Sequence, residues 1–197
     1  MKTAVLVSGG GTNLQALIDA QQAGRLGSAQ IVCVISSKPG VYALERAKKA
    51  GIPSAVVDRS LFESSDAFDA AILEQLRRFD AELVVLAGFL RVLGKTVLDA
   101  FPRRIINVHP SLIPSFCGDG FYGLRVHRAA LDYGVKVSGA TVFYVNEITD
   151  GGEIILQKAV DVMPGDTPET LQRRIMEQAE WKILPEAVRM ISEDFDK

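Results

Sequence analysis

The sequence predicts a single α/β domain in which a mostly parallel, twisted sheet is flanked by helices on both faces. Through the first half of the chain, short β-branched apolar runs alternate with segments of helical spacing, as in successive β-α-β units. Hydrophobic residues make up 48% of the 197 residues, which is enough for a sizeable core. Neither a repeat nor a linker interrupts the chain, so we assign residues 1–197 to one domain.

The first half contains five predicted strands and three predicted helices. The strands are 3–8, 31–36, 54–57, 83–87 and the apolar run before Asn107. The helices are 13–23, 42–50 and 67–78. Gly94 to Thr96 resembles part of a Walker loop but lacks its first glycine, so we expect an ordinary turn there.

The second half changes character. Residues 110–126 are rich in proline and glycine and predict a long loop. Segments 136–145 and 153–161 predict paired strands joined by an unusually long turn. Thr167 should cap a final helix that begins at Pro168 and runs toward Ile191. Pro185 lies inside that helix and should kink or break it.

Composition narrows the function classes. The net charge is -2 and charged residues are 23%, which gives no electrostatic reason to expect nucleic-acid or membrane binding. The two cysteines are too few for a disulfide framework, and Cys33 lies in an apolar run. No stretch approaches the roughly 20 apolar residues of a membrane span, and the first apolar run is too short for a signal peptide. We therefore expect a cytoplasmic protein with reduced thiols.

The first candidate site is the glycine-rich loop from Ser8 to Asn13, between the first strand and the first helix. Its glycines allow backbone N–H groups to approach a ligand, and a helix N-terminus favours an anion. Thr12 and Asn13 are also candidates for the helix cap. Leu14 stands where a dinucleotide fingerprint has glycine, and Ser36 to Lys38 supply no acid after the second strand. A single phosphate is the simplest ligand, and a flexible, capped connection is the alternative.

The second candidate site follows the predicted strand before Asn107. Asn107 and His109 lie on the same face of that strand, where an amide and an imidazole suit a developing oxyanion. The alternative is a histidine that only packs locally. Asp150 lies beside two glycines in the long turn, where it either forms part of a turn or pairs with His109 for proton transfer.

His127 and Cys117 are the other candidate metal ligands. We expect His127 to be a surface or capping residue of a helix after the long loop. His109, Cys117 and His127 do not have a recognised metal-ligand spacing, so we predict no metal site.

Four segments together resemble a known family. They are 8–14, 87–93, 107–112 and 149–152. In this order they resemble the phosphoribosylglycinamide formyltransferases, folate-dependent enzymes of purine synthesis, and the likeness covers nearly the whole chain. The resemblance implies a formyltransferase-like, Rossmann-related fold. It also implies a phosphate-substrate half at about residues 1–100 and a folate and catalytic half at about residues 85–197.

The resemblance implies a role for each candidate residue. Substrate-binding residues would be Gly11, Thr12 and Asn13 around the phosphate, with Glu180 at the ribose and Glu177 as a further ligand. Residues for the co-substrate 10-formyltetrahydrofolate would be Leu90, Arg91, Val92 and Leu93, with backbone contacts from Asn146, Glu147, Ile148 and Thr149. Catalytic residues would be Asn107, His109 and Asp150. Ser65 departs from the family, in which many members have an arginine that contacts the folate tail.

The reaction implied is direct attack of the glycinamide amine on the formyl carbon, through a tetrahedral oxyanion and without a metal. The partners would be small molecules, and the protein would be a monomer or homodimer. Three alternatives are a formyltetrahydrofolate deformylase, a methionyl-tRNA formyltransferase and a non-catalytic protein that binds sugar phosphates.

Overall fold

Strands with long apolar runs form the centre of the molecule in the computed structural model, which describes residues 1–195. Seven strands in this part of the chain form one sheet of order β3-β2-β1-β4-β5-β6-β7. They are β1 (Lys2–Val7), β2 (Gln30–Ser36), β3 (Ser54–Val56), β4 (Leu83–Leu86), β5 (Ile105–His109), β6 (Val137–Tyr144) and β7 (Ile154–Asp161). The first five are parallel, whereas β6 and β7 pair in an antiparallel manner.

Helices cover both faces of the sheet. They are α1 (Thr12–Gln22), α2 (Tyr42–Lys49), α3 (Ser65–Arg78), α4 (Lys95–Ala100), α5 (Leu124–Tyr133), α6 (Pro168–Ile175) and α7 (Trp181–Phe195). A short 3-10 helix (Arg59–Leu61) follows β3, and a π-helix (Met176–Glu180) joins α6 to α7. None of the helices in residues 1–195 combines the length and apolar character needed to cross a bilayer.

Alternation along the strands produces two cores. On β1, Val5 and Val7 face a core that also contains side chains of α1, α2, α6 and α7. Ala4 and Leu6 face the opposite core, with side chains of α3 and α4. All four residues are fully buried, as expected for a strand covered on both sides. The predicted fold class is confirmed.

The strand order places a crevice at the carboxyl end of the sheet. From β1 the chain moves outward through β2 to β3, and it then returns to add β4 on the other side of β1. The loops after β1 and β4 therefore leave in opposite directions. Ligands of α/β proteins bind at such a topological switch point, and both the glycine loop and residues 90–93 lie there.

Three predictions of local backbone structure in the first 133 residues are wrong. The α1 N-cap is Gly11, with φ +72 and no side-chain cap, because Asn13 is instead bonded to Glu180. Residues after Gly94 do not form a simple turn, since α4 begins at Lys95 and buries Val97. The loop after β5 ends before residue 126, because α5 begins at Leu124.

The C-terminal helical region begins where the sequence predicts, but its interruption lies elsewhere. Thr167 caps α6 through a capping box with Thr170, and Pro168 is at the first turn. Pro185 does not break the helix, because α7 continues through it. The interruption comes one turn earlier, where the π-helix ends at Glu180. Functional sites often contain such π-helical turns.

The turn after β6 should depend on Gly152. A Cβ atom at this position would overlap the Tyr144 carbonyl oxygen, a backbone atom that cannot move aside. We expect Gly152→Ala to lower the free energy of unfolding by about 2–3 kcal/mol in urea titrations. Gly10→Ala is the control, since a Cβ there meets nothing within 4 Å. Equal stability of the two variants would contradict this packing argument.

Candidate active site

The imidazole of His109 is fixed at the end of β5. Its Nε2 lies 2.9 Å from the carbonyl oxygen of Phe116, in the long loop. A carbonyl oxygen can only accept a hydrogen bond, so Nε2 carries the hydrogen. Nδ1 lies 3.5 Å from the Asp150 carboxylate. The ring is 5% exposed, and Nδ1 is therefore the nitrogen that faces the acid and is available for proton transfer.

Asp150 connects the long loop after β5 with the long turn after β6. Its Oδ2 accepts a hydrogen bond from the Gly118 N–H at 2.9 Å as well as facing His109. Its backbone is in the left-handed region, at φ 53, which few non-glycine residues adopt. The predicted pairing of Asp150 with His109 is therefore present, although sequence spacing could not establish it.

Asn107 lies two residues before His109 on the same strand. It is half-buried and opposes Phe143 across the β5–β6 ladder. Within residues 1–195, its side-chain amide makes no hydrogen bond. The amide is therefore free to donate to a ligand beside His109.

His127 differs from its prediction as a surface residue. It is fully buried on α5, and neither ring nitrogen has a hydrogen-bond partner in the described part of the chain. Burial, together with nearby His109, lowers the pKa of His127 to about 4. His127 is therefore neutral at physiological pH and adds no charge to the site.

The glycine loop is held from one side by α2. The carbonyl of Gly9 accepts from the Ala43 N–H at 3.2 Å, and the carbonyl of Gly10 accepts from Arg46 Nε at 2.8 Å. In a trans peptide the N–H points opposite to the C=O, so the N–H groups of Gly10 and Gly11 point away from α2. A Cβ on Gly11 would lie 2.7 Å from that of Ala43, which explains why glycine is needed.

Asn13 and Glu180 connect the first helix to the π-helix. Asn13 Nδ2 donates to Glu180 Oε2 at 2.6 Å. Burial raises the pKa of Glu180 to about 7, and the hydrogen bond from Asn13 opposes part of that effect. Glu177 is exposed and instead pairs with Arg173 at 2.8 Å, so its assignment as a substrate ligand stays a prediction.

Residues 90–92 form an exposed ledge between two anchors, apolar at Leu90 and Val92. Leu93 is only 4% exposed and packs in the core that contains side chains of α3 and α4, so its assignment as a folate contact stays a prediction. Leu90 and Val92 are 54% and 72% exposed. The Leu90 N–H donates to Ser8 Oγ at 2.9 Å, and the N–H of Gly94 donates to buried Asp69 at 2.7 Å. These anchors fix the ledge without covering it.

The turn 146–149 lies close to that ledge. Lys95, just after the ledge, is 3.7 Å from the Glu147 carboxylate. Asn146 Oδ1 accepts from the Ile148 N–H at 3.0 Å, which orders the turn, and Ile148 is 67% exposed. The ion pair thus links the start of α4, just after the ledge, to the second predicted folate segment.

Sequence reasoning missed several residues that position this site. The spacing of His127 and Ala130 on one face of α5 could have indicated that His127 is buried. Asp69 and Arg46 act through long-range hydrogen bonds to Gly94 and Gly10, which leave no periodic signal. The Phe116 contact uses a backbone carbonyl, which any residue would supply.

A family model described as formyl transferase matches residues 1–188. A phosphoribosylglycinamide formyltransferase of Haemophilus influenzae is 41% identical over 192 residues, covering 98% of this chain and 87% of that protein. The trifunctional purine biosynthetic protein adenosine-3 of Bos taurus is 46% identical over 191 residues. The chain spans only 18% of the length of that bovine protein.

Solved structures agree in fold. The crystal structure of glycinamide ribonucleotide transformylase 1 from Symbiobacterium toebii has a TM-score of 0.92 and 45% identity, over 98% of this chain and 88% of that one. Phosphoribosylglycinamide formyltransferase from Bacillus halodurans has a TM-score of 0.89 and 37% identity, over 97% and 95% of the two chains.

Glu180→Gln should stabilise the protein more at high pH than at low pH. The Glu180 pKa is about 7 in the fold against a reference value of 4.5. Between these values the unfolded carboxyl ionises first, so wild-type stability falls as pH rises toward 7. At about 1.4 kcal/mol per pKa unit, the advantage of the variant should reach about 3 kcal/mol above pH 7 and vanish near pH 4.

The measurement is urea unfolding of both proteins across this pH range. Glu177→Gln, at an exposed glutamate on the same π-helix, is the control and should show little change. A constant difference between Glu180→Gln and wild type at all pH values would contradict the buried-acid interpretation.

Proposed function

Because the chain belongs to the formyl transferase family, we propose that it transfers the formyl group of 10-formyltetrahydrofolate to the amine of 5-phosphoribosylglycinamide, in purine biosynthesis. The observation that carries this proposal is the His109–Asp150 pair beside the free amide of Asn107. The names of relatives that match 98% of the chain support the substrate assignment.

Asn107 and His109 would act on the formyl oxygen. Amine attack on the formyl carbon places negative charge on that oxygen, and the Asn107 amide and a protonated Nδ1 are donors suited to it. The hydrogen bond from Nε2 to the Phe116 carbonyl prevents the ring from flipping, so Nδ1 stays directed toward the site. Two donors on one strand face are thus preorganised for a charge that develops only during reaction.

Proton transfer would use Asp150, beside His109. When the new C–N bond forms and the old one breaks, the attacking amine loses one proton and the departing folate nitrogen gains one. Because His109 stays protonated as an oxyanion donor, the Asp150 carboxylate is the group that can hold a proton between these events. Asp150 faces Nδ1 and also accepts from Gly118, which fixes its orientation.

The glycine loop would hold the substrate phosphate. The N–H groups of Gly10 and Gly11 point away from α2, and the first turn of α1 has no side-chain cap. These features suit an anion at the helix N-terminus. Glu180, bonded to Asn13 close to this helix start, would accept hydrogen bonds from the ribose hydroxyls.

The folate rings would bind on the apolar ledge. Leu90, Val92 and Ile148 are each more than half exposed, and flat aromatic rings are covered well by such side chains. Exposed apolar groups at the carboxyl end of the sheet therefore fit the co-substrate.

We also infer a cytoplasmic location. Both cysteines are unpaired, and burial raises the pKa of Cys33 to about 12, so that thiol is unreactive. This arrangement suits a reducing compartment. One relative, from Arabidopsis thaliana, is described as chloroplastic, so a fractionation of native cells is the relevant check.

The decisive experiment incubates purified protein with 10-formyltetrahydrofolate, with and without glycinamide ribonucleotide, and follows deformylated folate by absorbance. We expect turnover only when the amine substrate is present. Equal donor breakdown without the amine would indicate a deformylase. Binding of both ligands by calorimetry without turnover would indicate a non-catalytic protein.

Asn107→Ala and His109→Ala should each lower kcat by about 10²–10³ while changing KM little. The reason is that the oxyanion to which these side chains would donate exists only after the amine has begun to attack the formyl carbon. Asp150→Asn should also lower kcat, since the amide cannot take up a proton. The double variant Asn107→Ala/His109→Ala should lose less than the product of the single effects, because the residues act as a unit. A raised KM with unchanged kcat would assign these residues to ground-state binding.

A further inference from the structure

The side chain of Arg46 connects α2 to the glycine loop, although the mechanism proposed above assigns it no role. Its Nε donates to the Gly10 carbonyl oxygen at 2.8 Å, and its Nη1 donates to Gln15 Oε1 at 2.9 Å. Gln15 lies near the start of α1, where its own amide donates to Asp19 at 2.8 Å. One guanidinium therefore bridges the loop and the helix that follows it.

The positive charge of Arg46 is not neutralised by a carboxylate. Within residues 1–195 its guanidinium forms no ion pair. Its two hydrogen-bond acceptors are a backbone carbonyl and a side-chain amide, and its Cζ lies 4.9 Å from the centre of the Tyr42 ring. A planar guanidinium held by neutral partners has a fixed direction, and its charge still acts on a nearby anion.

The hydrogen bond from Arg46 to Gly10 determines which way one peptide of the loop faces. Residues 9–11 are all glycine, so a peptide plane between them can turn over without a clash at Cβ. Because the Gly10 carbonyl points to Arg46, the N–H of Gly11 in the same peptide points the opposite way. If this peptide turned over, its carbonyl oxygen would face the proposed phosphate and repel it.

The preceding peptide of the loop is held in a different way. The Gly9 carbonyl accepts from the backbone N–H of Ala43, which any residue except proline would also supply. The Gly10 carbonyl accepts from a side chain, so the orientation of its peptide depends on which residue stands at position 46. A Cβ on Gly11 would lie 3.5 Å from Arg46 Cδ, which shows that the arginine runs alongside the loop.

A cationic donor on the carbonyl also strengthens the N–H of the same peptide. Hydrogen bonds from charged groups are about twice as strong as neutral ones, and hydrogen-bonded groups polarise one another. The Gly11 N–H is therefore a stronger donor than an amide whose carbonyl faces water. This gain is largest for a ligand that carries negative charge.

We propose that Arg46 is a positioning residue that sets the affinity of the glycine loop for the substrate phosphate. It keeps the Gly11 N–H directed at the phosphate and places positive charge behind that peptide, without contacting the ligand itself. The inference rests on the proposed function. Its consequence is that Arg46 controls binding of the phosphorylated substrate and leaves formyl transfer and folate binding unaffected.

The test replaces Arg46 and measures kcat and KM for 5-phosphoribosylglycinamide at saturating 10-formyltetrahydrofolate. Arg46→Met keeps most of the alkyl chain but removes the donors and the charge. Its KM for the phosphorylated substrate should rise by roughly 10- to 30-fold, with kcat within about twofold of the wild type and an unchanged KM for the folate. Arg46→Lys keeps the charge and an ammonium donor, so it should recover part of the loss.

Arg25→Met is the matched control. Arg25 is exposed and lines the same surface pocket as Arg46, but within the described residues its side chain makes no hydrogen bond to the glycine loop. This variant removes the same charge and should retain the wild-type KM. An unchanged KM in Arg46→Met, or an equal rise in Arg25→Met, would overturn the proposal.

Calorimetry without turnover separates this role from damage to the fold. Ribose 5-phosphate and tetrahydrofolate are titrated separately into the wild type and Arg46→Met. Only ribose 5-phosphate should bind more weakly to the variant, and equal weakening of both ligands would overturn the proposal. Absence of turnover by the wild type would contradict the proposed function, whereas an affinity for ribose 5-phosphate that does not depend on Arg46 would contradict the positioning role alone.

Discussion

The imidazole of His109 is fixed from both sides, and the arrangement of the site depends on that constraint. Phe116 and Asp150, which contact its two nitrogens, are both non-glycine residues with left-handed backbones, at φ 51 and 53. Such a conformation costs about 1–2 kcal/mol for each residue. It persists because the surrounding loop and turn have few alternatives once Gly118 donates to Asp150. The long loop after β5 and the turn after β6 are therefore parts of one structure rather than independent connections.

A second constraint separates the two proposed ligands. The glycine loop leads into α1, which packs on one face of the sheet, whereas the ledge leads into α4 on the other. The hydroxyl of Ser8 lies between them, where it accepts from the Leu90 N–H and shares a hydrogen bond with Ser37 at 2.6 Å. One buried side chain thus joins the loops after β1, β2 and β4. The two segments proposed to bind ligands therefore lead into helices on opposite faces of the sheet.

Much of the fold followed from local pattern, whereas the main errors have long-range causes. The parallel strands were predictable because strands buried on both faces must be continuously apolar. The residue that caps α1 was not predictable, because the Asn13 side chain donates instead to Glu180, 167 residues later in the chain. The motif Asn107 to His109 indicated the site through its strand periodicity. What sequence could not supply was the contact with the Phe116 carbonyl, because it depends on how the long loop folds back over β5.

The Asn13–Glu180 contact also bears on how the protein is made. A chain that emerges from the ribosome in order exposes α1 early, but the carboxyl partner of Asn13 arrives only after almost all of the sheet has been synthesised. Pairings this distant in sequence slow folding, because much chain entropy is lost before the contact forms. The start of α1 and its glycine loop therefore stay unfinished during translation. A chain terminated before residue 180 would lack the carboxylate that accepts from Asn13, so the helix after the glycine loop would begin with an unpaired amide.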